Sequence, residues 1–132
     1  MKKFTIKSLK KDQVVDITNE VNAEVAKSGL ENGLCHLMVL HTTVALSTAD
    51  LDPGGTDKDY IEAFRQMIPR LDYKHPHDPS HMPDHILSSL IGTSITLPIE
   101  NGALVLGTWQ RVVLFEFNGP QERSIIVNLL SV

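Results

Sequence analysis

Residues 94–130 read SITLPIENGALVLGTWQRVVLFEFNGPQERSIIVNLL, and this stretch decides the architecture. Asn101-Gly102 tolerates positive φ at both central positions of a two-residue hairpin turn, and it separates the apolar runs 94–99 and 103–107. Two more runs rich in β-branched and aromatic residues follow, 111–117 and 124–130, parted by the turn signal Asn118-Gly119-Pro120. The spacing predicts a meander of four strands.

Working back from there, Pro83 suits the first turn of a short helix over 84–91, stopped by Gly92. Thr56 or Asp57 can cap a longer helix running to about Arg70, with Ile61, Phe64 and Ile68 as its buried stripe. Asp52-Pro53-Gly54-Gly55 is a loop by its turn chemistry, and residues 71–82, with two prolines and three histidines, show no period. The run 34–41, LCHLMVLH, is apolar on both alternating faces, which predicts a central strand covered on both sides, with 44–46 continuing or pairing with it. A further helix is capped by Thr18, carries Ile17, Val21 and Val25 at four-residue spacing, and stops at Gly29. Residues 4–9 and 13–17 read as a strand pair. The order strands, helix, strands, two helices, strands defines an α+β fold on mixed or antiparallel sheet.

The length of 132 residues predicts one domain, 1–132, and 42% hydrophobic with 21% charged residues excludes a disordered chain. A net charge of −4 argues against a nucleic-acid partner, whose binding rests on neutralised phosphates. No apolar run approaches the ~20 residues that span a membrane. Lysines 2, 3, 7, 10 and 11 read as the solvated side of an edge strand. The start enters no apolar segment, so a cytoplasmic location is expected. Cys35 stands alone: it forms no intrachain disulfide, supplies no Cys-based zinc site, and reads as an inert core thiol.

Chemistry concentrates in HPHDPSHMPDH, residues 75–85. Imidazole is the commonest side-chain ligand of divalent transition metals, and neighbouring carboxylates orient the rings. Pro76 holds His75 in extended backbone, and His85 lies inside the helix that Pro83 opens, so those two can form one site. His77 and His81 read as exposed loop. A third ligand must come from elsewhere, and His41, at the rim of a strand before Thr42-Thr43, is the candidate. His36 reads as a core or interface residue. In the second suggestive segment, Gly107 beside Trp109 and Gln110 allows close approach of a ligand. Glu116 interrupts an apolar strand, with Arg123 beyond the turn as its partner or as a site residue. No phosphate-cradling loop, nucleophile elbow or dinucleotide fingerprint is present.

Taken in order, His41-Thr42-Thr43, Asp52-Pro53, the helix from Asp59 to Pro69, Tyr73-Lys74-His75, Met82-Pro83-Asp84-His85-Ile86 and Leu106-Gly107-Thr108-Trp109-Gln110, closed by Glu116 and Arg123, resemble the small YjbQ-like proteins, a family labelled secondary thiamine-phosphate synthases. The resemblance implies an α+β sandwich with two or three helices, a homotrimer, and a histidine pocket for a divalent metal, zinc or magnesium, near the subunit boundary. It places the metal ligands at His41, His75 and His85, the acidic and basic catalytic positions at Asp59, Glu116 and Arg123, and a ring-stacking, cofactor-binding surface at Trp109 and Gln110. The implied reaction couples hydroxymethylpyrimidine diphosphate to thiazole phosphate, releasing pyrophosphate. A metal-dependent hydrolase of a small phosphorylated compound and a non-enzymatic binding trimer are the alternatives. Two departures stand out: Gln121 where the family often has arginine, and the Gly54-Gly55 loop.

Overall fold

Strand β1 (Lys2–Lys7) turns Phe4 and Ile6 to one face and Lys3, Thr5 and Lys7 to the other, as period-two alternation requires. In the computed structural model, which describes residues 2–132, β1 pairs with β8 (Glu122–Ser131), and β2 (Gln13–Asp16) pairs with β7 (Arg111–Glu116). The expected N-terminal strand pair is therefore split between two sheets. With β3 (Gly33–Val39), β4 (Val44–Ala49), β5 (Ser94–Glu100) and β6 (Ala103–Leu104), the sheets run β1-β8-β3-β5-β6 and β2-β7-β4. Every pairing among the described residues is antiparallel.

The predicted meander is corrected in the same way. β5 and β6 form a hairpin on Asn101 (φ 54°) and Gly102 (φ 79°), but β7 crosses to the second sheet and β8 returns to the first. An inward-facing alternation looks the same in whichever sheet a strand lands. The segments 105–110 and 117–121 are long enough to cross the ~10 Å between packed sheets. β4 likewise lies in the sheet opposite β3.

Between the sheets lies the main core: Cys35, Leu37, Val39, Leu97, Ile99, Ile125 and Val127 from one, Val44, Leu46, Val112 and Leu114 from the other. Helix α1 (Thr18–Ser28) adds Val21 and Val25 to it. Burial pushes the Cys35 thiol up to about 11, in keeping with an inert thiol. On the far face of the three-stranded sheet, Ala45, Val113, Phe115 and Phe117 form a second cluster with α2 (Thr56–Met67), through Tyr60, Ile61 and Phe64, and with α3 (Met82–Ile91), through Leu87. The strand covered on both faces is thus β7. β3 alternates, with Leu34, His36 and Met38 turned outward, because no layer among the described residues covers that side.

Helix ends follow local chemistry. The N–H of Thr18 bonds Asp16 Oδ1 at 3.0 Å, while the Thr18 hydroxyl, the expected cap, accepts the N–H of Val112 at 2.8 Å. Gly29 ends α1 at φ 73°. α2 stops at Met67, short of Arg70, because Ile68 precedes Pro69 and is extended. No helix among the described residues is long and apolar enough to cross a membrane.

Candidate functional site

The chain changes sheets between β3 and β4, and His41, Thr42 and Thr43 lie in that crossover. α3 packs beside it, with Ser88 Oγ donating to the carbonyl of Val44 at 2.6 Å. One position after the buried Asp84, His85 sets Nδ1 3.1 Å from the carbonyl of Thr42. A carbonyl accepts, so His85 carries its proton on Nδ1 and keeps a lone pair on Nε2. That lone pair points at His75: the two Nε2 atoms are 3.2 Å apart, and the rings stack with centroids 4.9 Å apart at 19°. In the metal-free chain His75 donates across this gap. Its own Nδ1 is buried with no partner among the described residues.

His41 does not join this pair. The N–H of Ser124 donates to His41 Nε2 at 2.9 Å, which consumes the lone pair expected to bind a metal. Nδ1 must then hold the proton, and it faces Nη1 of Arg123 at 3.4 Å, one donor against another. Burial and the Arg123 charge both push the His41 pKa below its ordinary value, against a smaller pull from Glu116, so the ring is neutral. Among the described residues no three of the His, Cys, Asp and Glu side chains are grouped to hold a metal ion, which corrects the expected triad.

Glu116 and Arg123 point inward from opposite sheets and meet at 2.5 Å (Oε2 to Nη2) and 2.8 Å (Oε1 to Nε). Ser8 Oγ at 2.6 Å and the N–H of Asn118 at 3.0 Å complete the carboxylate, and Arg123 Nη2 also donates to Thr43 Oγ1 at 2.8 Å. Burial raises the Glu116 pKa, but the Arg123, Ser8 and Asn118 hydrogen bonds outweigh it and hold the carboxyl below its usual range. Both side chains are almost fully enclosed, so in this chain they brace the crossover and the back of His41. Asp59 lies on the exposed side of α2 near Glu62 and Gln66. Trp109 is 67% exposed, and Gln110 accepts the N–H of Gly107 and donates to Thr48 Oγ1. Asp59, Trp109 and Gln110 line no wall of the histidine cavity.

That cavity, about 450 Å³, is walled by Met38, Leu40, His41, Thr42, His85 and Ser89, among others. Its size falls within the range for small ligands. Two nitrogens on one tetrahedral zinc, at ~2.0–2.1 Å each, stand about 3.3–3.4 Å apart, close to the His75–His85 separation. An Nδ1–H held by a backbone carbonyl is the usual support of a metal-binding imidazole. The pair therefore fits two positions of a divalent site. Sequence reasoning missed Thr42, which acts through its carbonyl and leaves no side-chain signal. It also missed Asp84, whose signal was an acid four residues before Ser88 on the buried side of a helix.

Fold and site define a class of small α+β proteins: a two-sheet sandwich with a histidine pair where the chain crosses between sheets. The chain belongs to the family described as UPF0047 protein YjbQ-like, whose pattern matches residues 2–132. A UPF0047 protein of Archaeoglobus fulgidus is 35% identical over 128 residues, covering 96% of this chain and 98% of the relative. YugU of Bacillus subtilis is 31% identical, covering 98% of each. A YjbQ/UPF0047 crystal structure from Clostridium acetobutylicum superposes with a TM-score of 0.88 at 36% identity, covering 98% of this chain and all of that one. A protein of Aeropyrum pernix gives 0.90 at 32%, covering 99% and 98%.

Proposed function

We propose that this chain is a cytoplasmic, divalent-metal-dependent transferase that joins hydroxymethylpyrimidine diphosphate to thiazole phosphate, and that it works as a homotrimer. The observation that carries the reading is the His75–His85 pair, two imidazole nitrogens 3.2 Å apart beside a cavity of small-ligand size. Imidazole pairs favour zinc over magnesium, which prefers oxygen ligands. In the reaction a thiazole nitrogen forms a bond to the pyrimidine methylene carbon as the carbon–oxygen bond to diphosphate breaks and pyrophosphate leaves. His75 and His85 would hold the divalent ion, which when bound would supply positive charge for that departure. The chain's own part is to hold His85 through Thr42, to keep His41 neutral on the cavity wall, and to offer Ser89 and Thr93 as hydroxyl contacts. Arg123, enclosed by Glu116 and Thr43, serves by fixing Thr43 of the crossover in place of a direct phosphate contact. The outward Leu34, Met38, Leu40 and Leu130 support a face that joins copies.

A second reading, hydrolysis of one small phosphorylated compound, is favoured by the position of Trp109, which leaves the cavity without an aromatic wall for a second ring. Zinc-loaded protein incubated with the pyrimidine diphosphate alone, and then with the thiazole phosphate added, separates the two. Pyrophosphate released only after the second addition supports coupling; phosphate or pyrophosphate released before it supports hydrolysis; neither anion in either case overturns both.

A further inference from the structure

Apart from the histidines lies a buried charge cluster that no catalytic step uses. Asp84, fully buried in the first turn of α3, accepts Nη1 of Arg65 at 2.6 Å and has Nζ of Lys11 at 3.4 Å. Arg65, on α2, is held in turn by Asp12 through both carboxylate oxygens and donates Nη2 to the carbonyl of Phe117 at 2.9 Å. Its guanidinium carbon sits 5.5 Å from the centre of the Phe117 ring. Phe117 also reaches the other way: its N–H donates to the carbonyl of Thr43 at 3.1 Å, fixing the segment whose Thr42 carbonyl receives His85.

These contacts close a ring: His85 to Thr42, along the chain to Thr43, across to Phe117, through Arg65 to Asp84, and along α3 back to His85. Phe117 holds both halves of the His85–Thr42 hydrogen bond, the acceptor by its N–H and the donor's helix through Arg65. Successive helix residues are ~100° apart around the axis, so a rotation of α3 that freed Asp84 would swing His85 off the Thr42 carbonyl by the same angle. Ser88, bonded to Val44 one turn later, fixes the far end of the same face but cannot hold the first turn.

We propose that Arg65, acting on Asp84, is a positioning residue that sets α3 so that His85 presents its Nε2 lone pair to His75. The metal-affinity part of this proposal rests on the reading above; the tautomer part does not. A planar fork engaging Asp12, Asp84 and a carbonyl together is a task for arginine, and a lysine can keep one of the three contacts.

Histidine ring nitrogens in 15N-labelled, metal-free protein report the tautomer directly. The wild-type chain is expected to show His85 protonated on Nδ1. Arg65→Met should shift it toward a mixture rich in the Nε2–H form and weaken cobalt(II) binding 10- to 100-fold, while Arg65→Lys restores most of the wild-type signature. A folded Arg65→Met chain with an unchanged His85 signature overturns the proposal. If the wild-type protein binds no cobalt yet Arg65→Met still shifts the tautomer, the positioning role stands and the metal reading falls. Should Arg65→Met fail to fold, Asp12→Asn, which loosens Arg65 from outside α3, decides by the same two signatures.

Discussion

Glu116 on β7 and Arg123 on β8 join the two sheets through a buried ion pair, Oε2 to Nη2 at 2.5 Å, at 0% and 2% residual exposure. Removing one partner strands the other charge away from water. Arg123→Met is therefore expected to cost about 3–5 kcal/mol of unfolding free energy, read from urea denaturation. Glu116→Gln and Arg123→Met should be far from additive when combined, since they break the same contact.

Acid sensitivity follows from the same region. Glu116 has its pKa lowered from the usual 4.5, so its contribution is complete above that value and is lost as pH falls through the lowered one. His41 is lowered from 6.5; the unfolded chain takes up its proton first, so stability already begins to drop as pH falls below about 6.5. Urea midpoints measured from pH 8 to pH 2 should fall in two stages. His41→Gln should remove the first stage and leave the second.

The histidine pair predicts a division among the imidazoles. His75→Ala and His85→Ala should each weaken zinc or cobalt binding by about 100-fold or more, beyond what loss of a supporting contact costs. His41→Gln should leave it within a few-fold, because the His41 Nε2 is already committed to the Ser124 N–H. Calorimetric titration of the three variants checks this, and equal losses at all three would restore the triad.

Gly119 has no room for a side chain. A Cβ there would stand 2.2 Å from the Lys10 carbonyl oxygen, 2.5 Å from Ser8 Oγ and 2.9 Å from Glu116 Cγ. Gly119→Ala should destabilise by about 1–3 kcal/mol and carry the acid transition upward, because it pushes on the Ser8–Glu116 contact. Thermal unfolding at pH 7 and pH 5 gives both quantities.

If the outward face of β3 and β8 joins copies, charging it should separate them. Leu34→Glu with Leu130→Glu, neighbours across the β3–β8 pairing, should move the species seen by light scattering from trimer to monomer. A wild-type chain already monomeric at micromolar concentration would remove the trimer from the proposal.

Much of the local structure was legible. Gly29, Gly92 and Asn101-Gly102 mark where elements end because they meet the backbone's need for unusual φ or an unpaired terminus. His75 and His85 converge as read, since Pro76 and Pro83 fix the backbone around each. What sequence could not show is which sheet a strand enters, because alternation carries no address. That is why adjacency alone pairs β1 with β2 and joins the C-terminal strands. His41 stands apart from the other two for a related reason: the N–H that occupies its Nε2 belongs to Ser124, 83 residues away. The double covering assigned to β3 belongs to β7, whose shorter run of apolar residues carries a single acid.

The place of β8 in its sheet has a consequence for synthesis. Val127 lies opposite both Lys2 of β1 and Leu37 of β3, so β1 and β3 share no edge until β8, made after both, enters between them. A nascent chain halted before residue 122 holds two exposed strand borders waiting for a missing neighbour. Such a chain invites pairing with its own kind, and the sheet closes only once β8 has been made.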